Sequence, residues 1–198
     1  QGSWERMDMD MDALPLDCRL CAGDGCFVAL PPINDYTSFD DDRSVYRFCP
    51  SVGGWEHVAS TASIEVWNGV LGSCAYDRGH LYGTFEQFVQ SVNLSTGEWD
   101  ELPPLSKERE DATVCVVDGR LFVVGGRTAS VEEYVALDQR WASLPELPIW
   151  VTGAAAVVLD GKLLVIGGHY FFRALSAVFE YNPRDRTWKE LPSMLNAR

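Results

Sequence analysis

Apolar residues occur along the chain in short runs of strand length, separated by turn-forming residues. The segment "TVCVVDGRLFVVGG" (113–126) has two such runs joined by Asp118-Gly119, and "AVVLDGKLLVIGG" repeats the pattern through Asp160-Gly161. Asp-Gly favours the tight turn whose twist matches that of two antiparallel strands. No window of the sequence shows a helical period. The pattern therefore predicts an all-β chain built of hairpins.

An internal repeat organises these hairpins. The octets "GRLFVVGG" (119–126) and "GKLLVIGG" (161–168) are each followed by the pattern V-x-x-Y-x6-W, at 131–141 and 178–188. Degenerate copies of this pattern occur at 45–55 and 89–99. The copies end at four tryptophans, spaced by 44, 42 and 47 residues: Trp55, Trp99, Trp141 and Trp188. A period of this length predicts a repeat architecture.

The strands within each repeat indicate how the repeats pack. Runs such as "VCVV" and "AAAVVL" are apolar on both faces, and such strands need cover on both sides. Sheets of four antiparallel strands that stack face to face around an axis supply this cover, so the sequence predicts a β-propeller of about four blades. The predicted blades are 13–58, 65–102, 110–144 and 152–191, and 192–198 is the start of a next blade. Residues 1–12, which resemble a tag remnant and an acidic lead-in, are set aside.

Several residues of the repeat are expected to be structural. Tyr134, Tyr181 and the four tryptophans should fill the gaps between blades, because buried aromatic side chains dominate such cores. The double glycines Gly125, Gly126, Gly167 and Gly168 are expected at strand ends that need a positive φ or close backbone approach.

The same features resemble Kelch repeats. The resemblance rests on the double glycines, on Tyr and Trp seven residues apart, and on "LSKER" (105–109) and "MLNAR" (194–198). It is strong over 105–198 and degenerate over 15–104. Kelch propellers often recruit substrates for ubiquitin ligases or act as cytoskeletal scaffolds, so the resemblance implies a scaffold that binds a protein partner. Four blades are fewer than this family usually has, and we expect a larger ring, or self-association of two copies through open edges.

Loops rather than repeats are expected to hold the binding residues. In a four-stranded meander, the second-to-third strand loops and the blade-crossing loops lie at one end of the blades, and long variable loops are where a repeat scaffold binds. The aromatic segment "HYFFRALSA" (169–177) belongs to this face. Aromatic residues and Arg are common anchors of interfaces. The candidate partner-binding residues are Tyr170, Phe171, Phe172, Arg173, Trp150, Arg127, Arg109 and Tyr36.

Each candidate has an alternative structural role. Some of the aromatic residues could cap the core between blades, and Arg109 and Arg127 could bridge blades instead of facing a partner. Tyr36 lies in the acidic segment "NDYTSFDDDR" (34–43), which is either a solvated loop or a segment that steers a basic partner.

Charge and composition narrow the partner class. The chain has 16 Lys and Arg against 29 Asp and Glu, a net charge of −13. Such a surface repels phosphate backbones and anionic lipids, so we expect neither nucleic acid nor membrane as a partner. We expect an intracellular, cytoplasmic protein, because no signal peptide is evident and because several of the six cysteines lie in apolar runs typical of reduced, buried thiols.

Catalytic and metal chemistry remain alternatives. Cys18, Cys21 and Cys26, with Cys49, have a spacing that a zinc site could use, although a second close ligand pair is missing. Some Kelch-like propellers are galactose-oxidase-like copper enzymes or sugar mutarotases. However, two of the three histidines, His80 and His169, should lie at opposite strand ends, roughly 15 Å apart. We therefore expect a protein without enzymatic activity or cofactor.

Overall fold

A computed structural model describes residues 19–23, 26–30, 44–50, 53–60 and 73–198. Within these ranges the chain forms four four-stranded antiparallel sheets. Strands that follow one another along the chain are neighbours in each sheet, apart from one small hairpin inserted into the fourth. The prediction of four four-stranded antiparallel blades is confirmed.

The blades follow the order of the repeats. Blade 1 contains β1 (Arg19–Gly23), β2 (Cys26–Leu30), β3 (Ser44–Cys49) and β4 (Gly54–Ser60). Blade 2 contains β5 (Ser73–Asp77), β6 (His80–Phe85), β7 (Phe88–Asn93) and β8 (Trp99–Glu101). Blade 3 contains β9 (Thr113–Val117), β10 (Arg120–Val124), β11 (Val131–Val135) and β12 (Arg140–Leu144). Blade 4 begins with β13 (Ala155–Leu159) and β14 (Lys162–Ile166), continues through the inserted β15 (His169–Tyr170) and β16 (Arg173–Ala174), and ends with β17 (Val178–Asn182) and β18 (Thr187–Leu191).

The first strands of the blades form the inner wall of the propeller. β1 packs against β5, β5 against β9, and β9 against β13. Among the described strands, β13 and β1 do not pack together in this way, so the four blades form an open arc. On the open side, the side chains of Val157 and Leu159 in β13 are 46% and 57% exposed, since they point away from the core residues Leu163 and Val165 of β14.

Apolar side chains fill the gaps between consecutive blades. Between blades 3 and 4, Phe122 and Tyr181 are fully buried with ring centroids 6.1 Å apart. Burying one such ring stabilises the fold by about 1.5–3 kcal/mol. Smaller clusters centred on Leu81 and on Val123 fill the two preceding gaps.

The repeated tryptophans add a polar contact to this packing. Trp141 and Trp188 lie 5.3 and 4.9 Å from Tyr134 and Tyr181, measured between ring centroids. The indole N–H of Trp141 donates to the carbonyl of Pro103 at 2.6 Å, and that of Trp188 donates to the carbonyl of Pro145 at 2.8 Å. Each of these tryptophans therefore ties its blade to the crossing loop that leads into it.

The predicted Asp-Gly turns are present where the structure describes them. Asp118 and Gly119 have φ values of +51° and +75°, and Asp160 and Gly161 have +52° and +69°. Positive φ at both central residues is the conformation that two-residue hairpins favour. The corresponding Asp24-Gly25 lies outside the described residues.

The double glycines lie where the chain leaves the second strand of blades 3 and 4. The four φ values are +66°, +87°, +63° and +83° for Gly125, Gly126, Gly167 and Gly168. At Gly126 a side chain would also meet its neighbours, since a Cβ there would lie 2.7 Å from the Cβ of Arg109 and 2.9 Å from that of Ala112. Gly126 is thus required both for its conformation and for close approach.

We expect Gly126→Ala to destabilise the protein more than Gly153→Ala. Both glycines have positive φ, so both substitutions carry a backbone cost of about 1–2 kcal/mol. A Cβ at Gly153 would meet open space, whereas at Gly126 it adds a collision costing about 1–3 kcal/mol. Urea unfolding of the two variants measures the difference, and equal losses would contradict the role assigned to Gly126.

The cysteines of blade 1 differ from the expectation. β2 and β3 pair with Phe27 opposite Phe48, which places Cys26 beside Cys49, and the two form a disulfide. The expectation of reduced cysteines is wrong for this pair, and the pair is not available as two zinc thiolates. Because disulfides are typical of oxidising compartments, the cysteine argument for an intracellular location loses its basis. Cys18 lies outside the described residues.

The described free thiols are embedded in the core. A hydrogen bond with Cys74 and burial raise the pKa of Cys21, and burial raises the pKa of Cys115. A raised pKa keeps a thiol protonated and weakly nucleophilic, so these cysteines are structural.

Candidate functional site

The aromatic segment that follows Gly168 forms a hairpin. His169 pairs with Ala174 and Tyr170 with Arg173, and Phe171 and Phe172 form the two-residue turn between β15 and β16. The sequence predicts a loop here, and the structure has a hairpin instead. Tyr and Phe favour strands, and a two-residue turn is enough to fold the segment back on itself. We call residues 169–174 the aromatic hairpin.

The tip of the aromatic hairpin has an unusual backbone. Phe171 has a φ of +52°, in a region where bulky side chains are rare and where a two-residue turn usually has Gly or Asn. Such conformations concentrate at functional sites. Phe171 shares this conformation with other turn residues of the chain, such as Glu86 and Asp118, but it is the bulkiest of them.

Three aromatic rings form a cluster on the surface. The ring of Phe171 lies 4.8 Å from that of Tyr170, edge to face, and 6.2 Å from that of Trp150 on the loop between blades 3 and 4. Trp150 is 52% exposed and Phe171 69%. Phe172, beside them at the tip, is 99% exposed. The rings thus lie on the surface rather than capping the core between blades.

The base of the aromatic hairpin is held from two sides. On one side, His169 and Thr152 exchange backbone hydrogen bonds of 2.8 and 3.0 Å. On the other, the amide of Gly168 donates to the carbonyl of Arg198 at 3.0 Å, and the amide of Arg198 donates to the carbonyl of Leu175 at 3.1 Å. The exposed tip consequently stands on a fixed base.

The Arg109 side chain is buried beneath the loop face. It is 0% exposed, donates to the carbonyls of Gly125 at 3.0 Å and Ser130 at 2.7 Å, and forms an ion pair with Glu132, which is 2% exposed. The expectation that Arg109 contacts a partner is therefore wrong. Its Nη1 and Nη2 atoms tie the crossing loop between blades 2 and 3 to blade 3, whereas its buried Nε has no hydrogen-bond partner among the described residues.

Sequence reasoning missed Glu132, the partner of Arg109. Glu132 also accepts hydrogen bonds from the amide of Ser106 at 3.2 Å and its hydroxyl at 2.9 Å. The available signal was a carboxylate inside the apolar strand "VEEYV", since a buried charge requires a partner. Glu133, the next residue, forms a two-pronged pair with Arg120 at 2.6 and 2.7 Å.

Arg127 lies on the loop face at the rim of a cleft between blades 2 and 3. Its side chain is exposed and pairs with Glu110 at 2.6 Å. The cleft has a volume of about 430 Å³ and is lined by three further carboxylates, those of Glu86, Glu108 and Asp111. This part of the loop face is acidic. The remaining candidate, Tyr36, lies outside the described residues.

The described residues also bear on metal and membrane binding. Among them, no group of three or more His, Cys, Asp and Glu side chains is arranged to hold a metal ion. None of the described segments forms a helix with the length and hydrophobicity that crossing a bilayer requires.

We expect Arg109→Met to be strongly destabilising. It would leave the buried Glu132 carboxylate without its counter-charge and two carbonyls without a donor, a loss of about 3–5 kcal/mol. Arg140→Met is the matched control because the side chains of Arg140 and its partner Asp138 are 60% and 52% exposed, and exposed pairs are worth about 0–1 kcal/mol. Urea unfolding compares the two. A similar loss in both variants would show that burial of the Arg109 pair is unimportant.

Comparisons with known proteins agree with this geometry. Kelch motif models match residues 108–148 and 151–195. Over 79 residues, 40% of this chain, it is 37% identical to Kelch-like protein terF of Aspergillus terreus (strain NIH 2624 / FGSC A1156), and the match covers 17% of that protein. Over 104 residues, 52% of this chain, it is 28% identical to Kelch repeat protein C2 of Vaccinia virus (strain Western Reserve), covering 19% of that protein. The chain thus matches less than a fifth of these relatives' length.

A solved structure shows the same fold. The structure of YjhT superposes with a TM-score of 0.55 at 18% identity, covering 62% of this chain and 51% of that chain. At this identity the likeness concerns the fold alone.

Proposed function

We propose that this chain, which belongs to the Kelch-repeat family, is a protein-interaction scaffold that presents the aromatic hairpin and Trp150 to a protein partner. The observation that supports the proposal is the exposed cluster of Trp150, Tyr170, Phe171 and Phe172 on a fixed base. Large aromatic side chains are the most frequent energetic anchors of protein interfaces. Contiguous exposed apolar surface of this kind commonly marks an interaction site.

The family supports the same general role. Kelch-repeat proteins generally bind other proteins through the propeller. We propose that the whole protein is a scaffold of the substrate-adaptor or cytoskeletal type. No observation on the described residues favours the alternative of a sugar mutarotase or a galactose-oxidase-like oxidase.

We expect the double variant Phe171→Ser/Phe172→Ser to lose at least about tenfold in partner affinity, because loss of one anchor commonly costs 2 kcal/mol or more. The melting temperature should stay within a few degrees of wild type, since both side chains are exposed. Quantitative pull-down with the full-length protein, followed by titration of each captured protein, measures the loss.

Leu137→Ser provides the matched control. Leu137 is 99% exposed, like Phe172, but lies in the β11–β12 turn at the opposite end of the blades. It should leave binding unchanged. If every captured protein bound the Phe171→Ser/Phe172→Ser variant as well as wild type, the proposed face would be wrong.

We also propose that the open side of blade 4 mediates self-association of two copies. The exposed Val157 and Leu159 of β13 lie on the inner strand, which in the other described blades packs against the next blade. Light scattering should give a dimer for wild type and a monomer for Val157→Lys, with Leu137→Lys behaving as wild type. A monomeric wild-type particle at high concentration would exclude this contact.

A further inference from the structure

Charge is unevenly distributed over the loop face. The whole chain has a net charge of −13. Yet the segments of blade 4 and its crossing loop that surround the aromatic hairpin, 147–159, 163–179 and 191–198, contain no Asp or Glu. In the crossing loop the nearest carboxylate along the chain is Glu146. These segments are therefore apolar and free of side-chain carboxylates, and the acidic cleft adjoins the hairpin base through the crossing loop, where the amide of Gly153 donates to the carbonyl of Asp111.

The basic groups are accessible. His169 and Arg173 are both exposed, one on each strand of the aromatic hairpin. Arg198 is exposed as well, and its backbone bonds to Gly168 and Leu175 place it at the hairpin base. Among the described residues Arg173 forms no ion pair, whereas Arg127 on the acidic side of the same face pairs with Glu110. The guanidinium of Arg173 is thus close along the chain to the exposed aromatic rings of the hairpin.

We propose that the aromatic hairpin recognises a protein segment in which aliphatic or aromatic side chains alternate with carboxylates. This inference rests on the proposed function and specifies the partner. Apolar side chains of the segment would pack on Phe171, Phe172 and Trp150. A neighbouring carboxylate would accept hydrogen bonds from the Arg173 guanidinium, whose planar fork matches a carboxylate.

The local charge opposes the other partner classes. A basic segment is attracted to the chain as a whole and to the cleft lined by Glu86, Glu108, Glu110 and Asp111, but at the hairpin it would face the guanidinium of Arg173. An anionic membrane could accept aromatic side chains and Arg, but the net charge of −13 repels it. An acidic, apolar protein segment is the partner that both the rings and the local cations fit.

The test is an unbiased selection of short random peptides displayed on phage, using the whole chain as bait. We expect the enriched peptides to be acidic and rich in aliphatic or aromatic residues, although the bait is itself strongly acidic. Fluorescence polarisation then gives the affinity of the synthesised peptides for each variant. Arg173→Glu should weaken the selected peptides at least about tenfold, and raised salt should weaken them in wild type.

Arg184→Glu is the control for charge. Arg184 is exposed in the β17–β18 turn at the opposite end of blade 4, so the same change of net charge there should leave affinity unchanged. An equal loss in Arg184→Glu and Arg173→Glu would overturn the inference, because only long-range charge would then be involved.

The outcomes separate the inference from the proposed function. Peptides that depend on Phe171 and Phe172 but are basic or uncharged would overturn the inference and leave the scaffold role intact. Peptides that bind the Phe171→Ser/Phe172→Ser variant as well as wild type would count against both. A last outcome is that wild type sediments with vesicles of phosphatidylcholine and phosphatidylserine and the Phe171→Ser/Phe172→Ser variant does not. That result would overturn the inference, because the partner would then be a membrane instead of a protein segment.

Discussion

The buried guanidinium of Arg109 is the constraint on which the loop face depends. It holds the carbonyls of Gly125 and Ser130 and the carboxylate of Glu132, and thereby fixes the crossing loop against blade 3. Its Cβ lies so close to Gly126 that no side chain fits there.

Further hydrogen bonds extend this constraint to blade 4. The amide of Gly126 donates to the carbonyl of Val151 at 2.8 Å, which positions the next crossing loop. Thr152, the following residue, then holds His169 at the base of the aromatic hairpin. A continuous set of contacts therefore links one buried ion pair to the exposed cluster two loops away.

Local sequence patterns were sufficient to predict the scaffold. Asp118-Gly119 encodes its own turn, and the repeated tryptophans mark equivalent positions in each blade, so the strands and their order follow from short-range rules. The burial of Arg109 could not be predicted in the same way, because it depends on Glu132, which lies 23 residues further along the chain. The Cys26–Cys49 disulfide likewise depends on the register of β2 and β3.

The repeats of blades 3 and 4 differ most clearly at the aromatic hairpin. In blade 3 the corresponding connection is short, and Thr128 and Ser130 bond to each other at 3.1 Å within it. In blade 4 the connection is longer and folds into two strands of its own. The aromatic residues were visible in the sequence, but the left-handed conformation of Phe171 was not, because Phe rarely adopts it. The exposure of these aromatic side chains could not be predicted without the conformation of this turn.

The fixed base of the aromatic hairpin has a thermodynamic consequence. Ordering a mobile loop on binding consumes conformational entropy, and an interface keeps only the surplus of its contact energy. Here the backbone bonds of His169, Gly168 and Arg198 order the hairpin before any partner arrives. The backbone of the hairpin is thus preorganised, and the backbone entropy lost on association falls mainly on the partner.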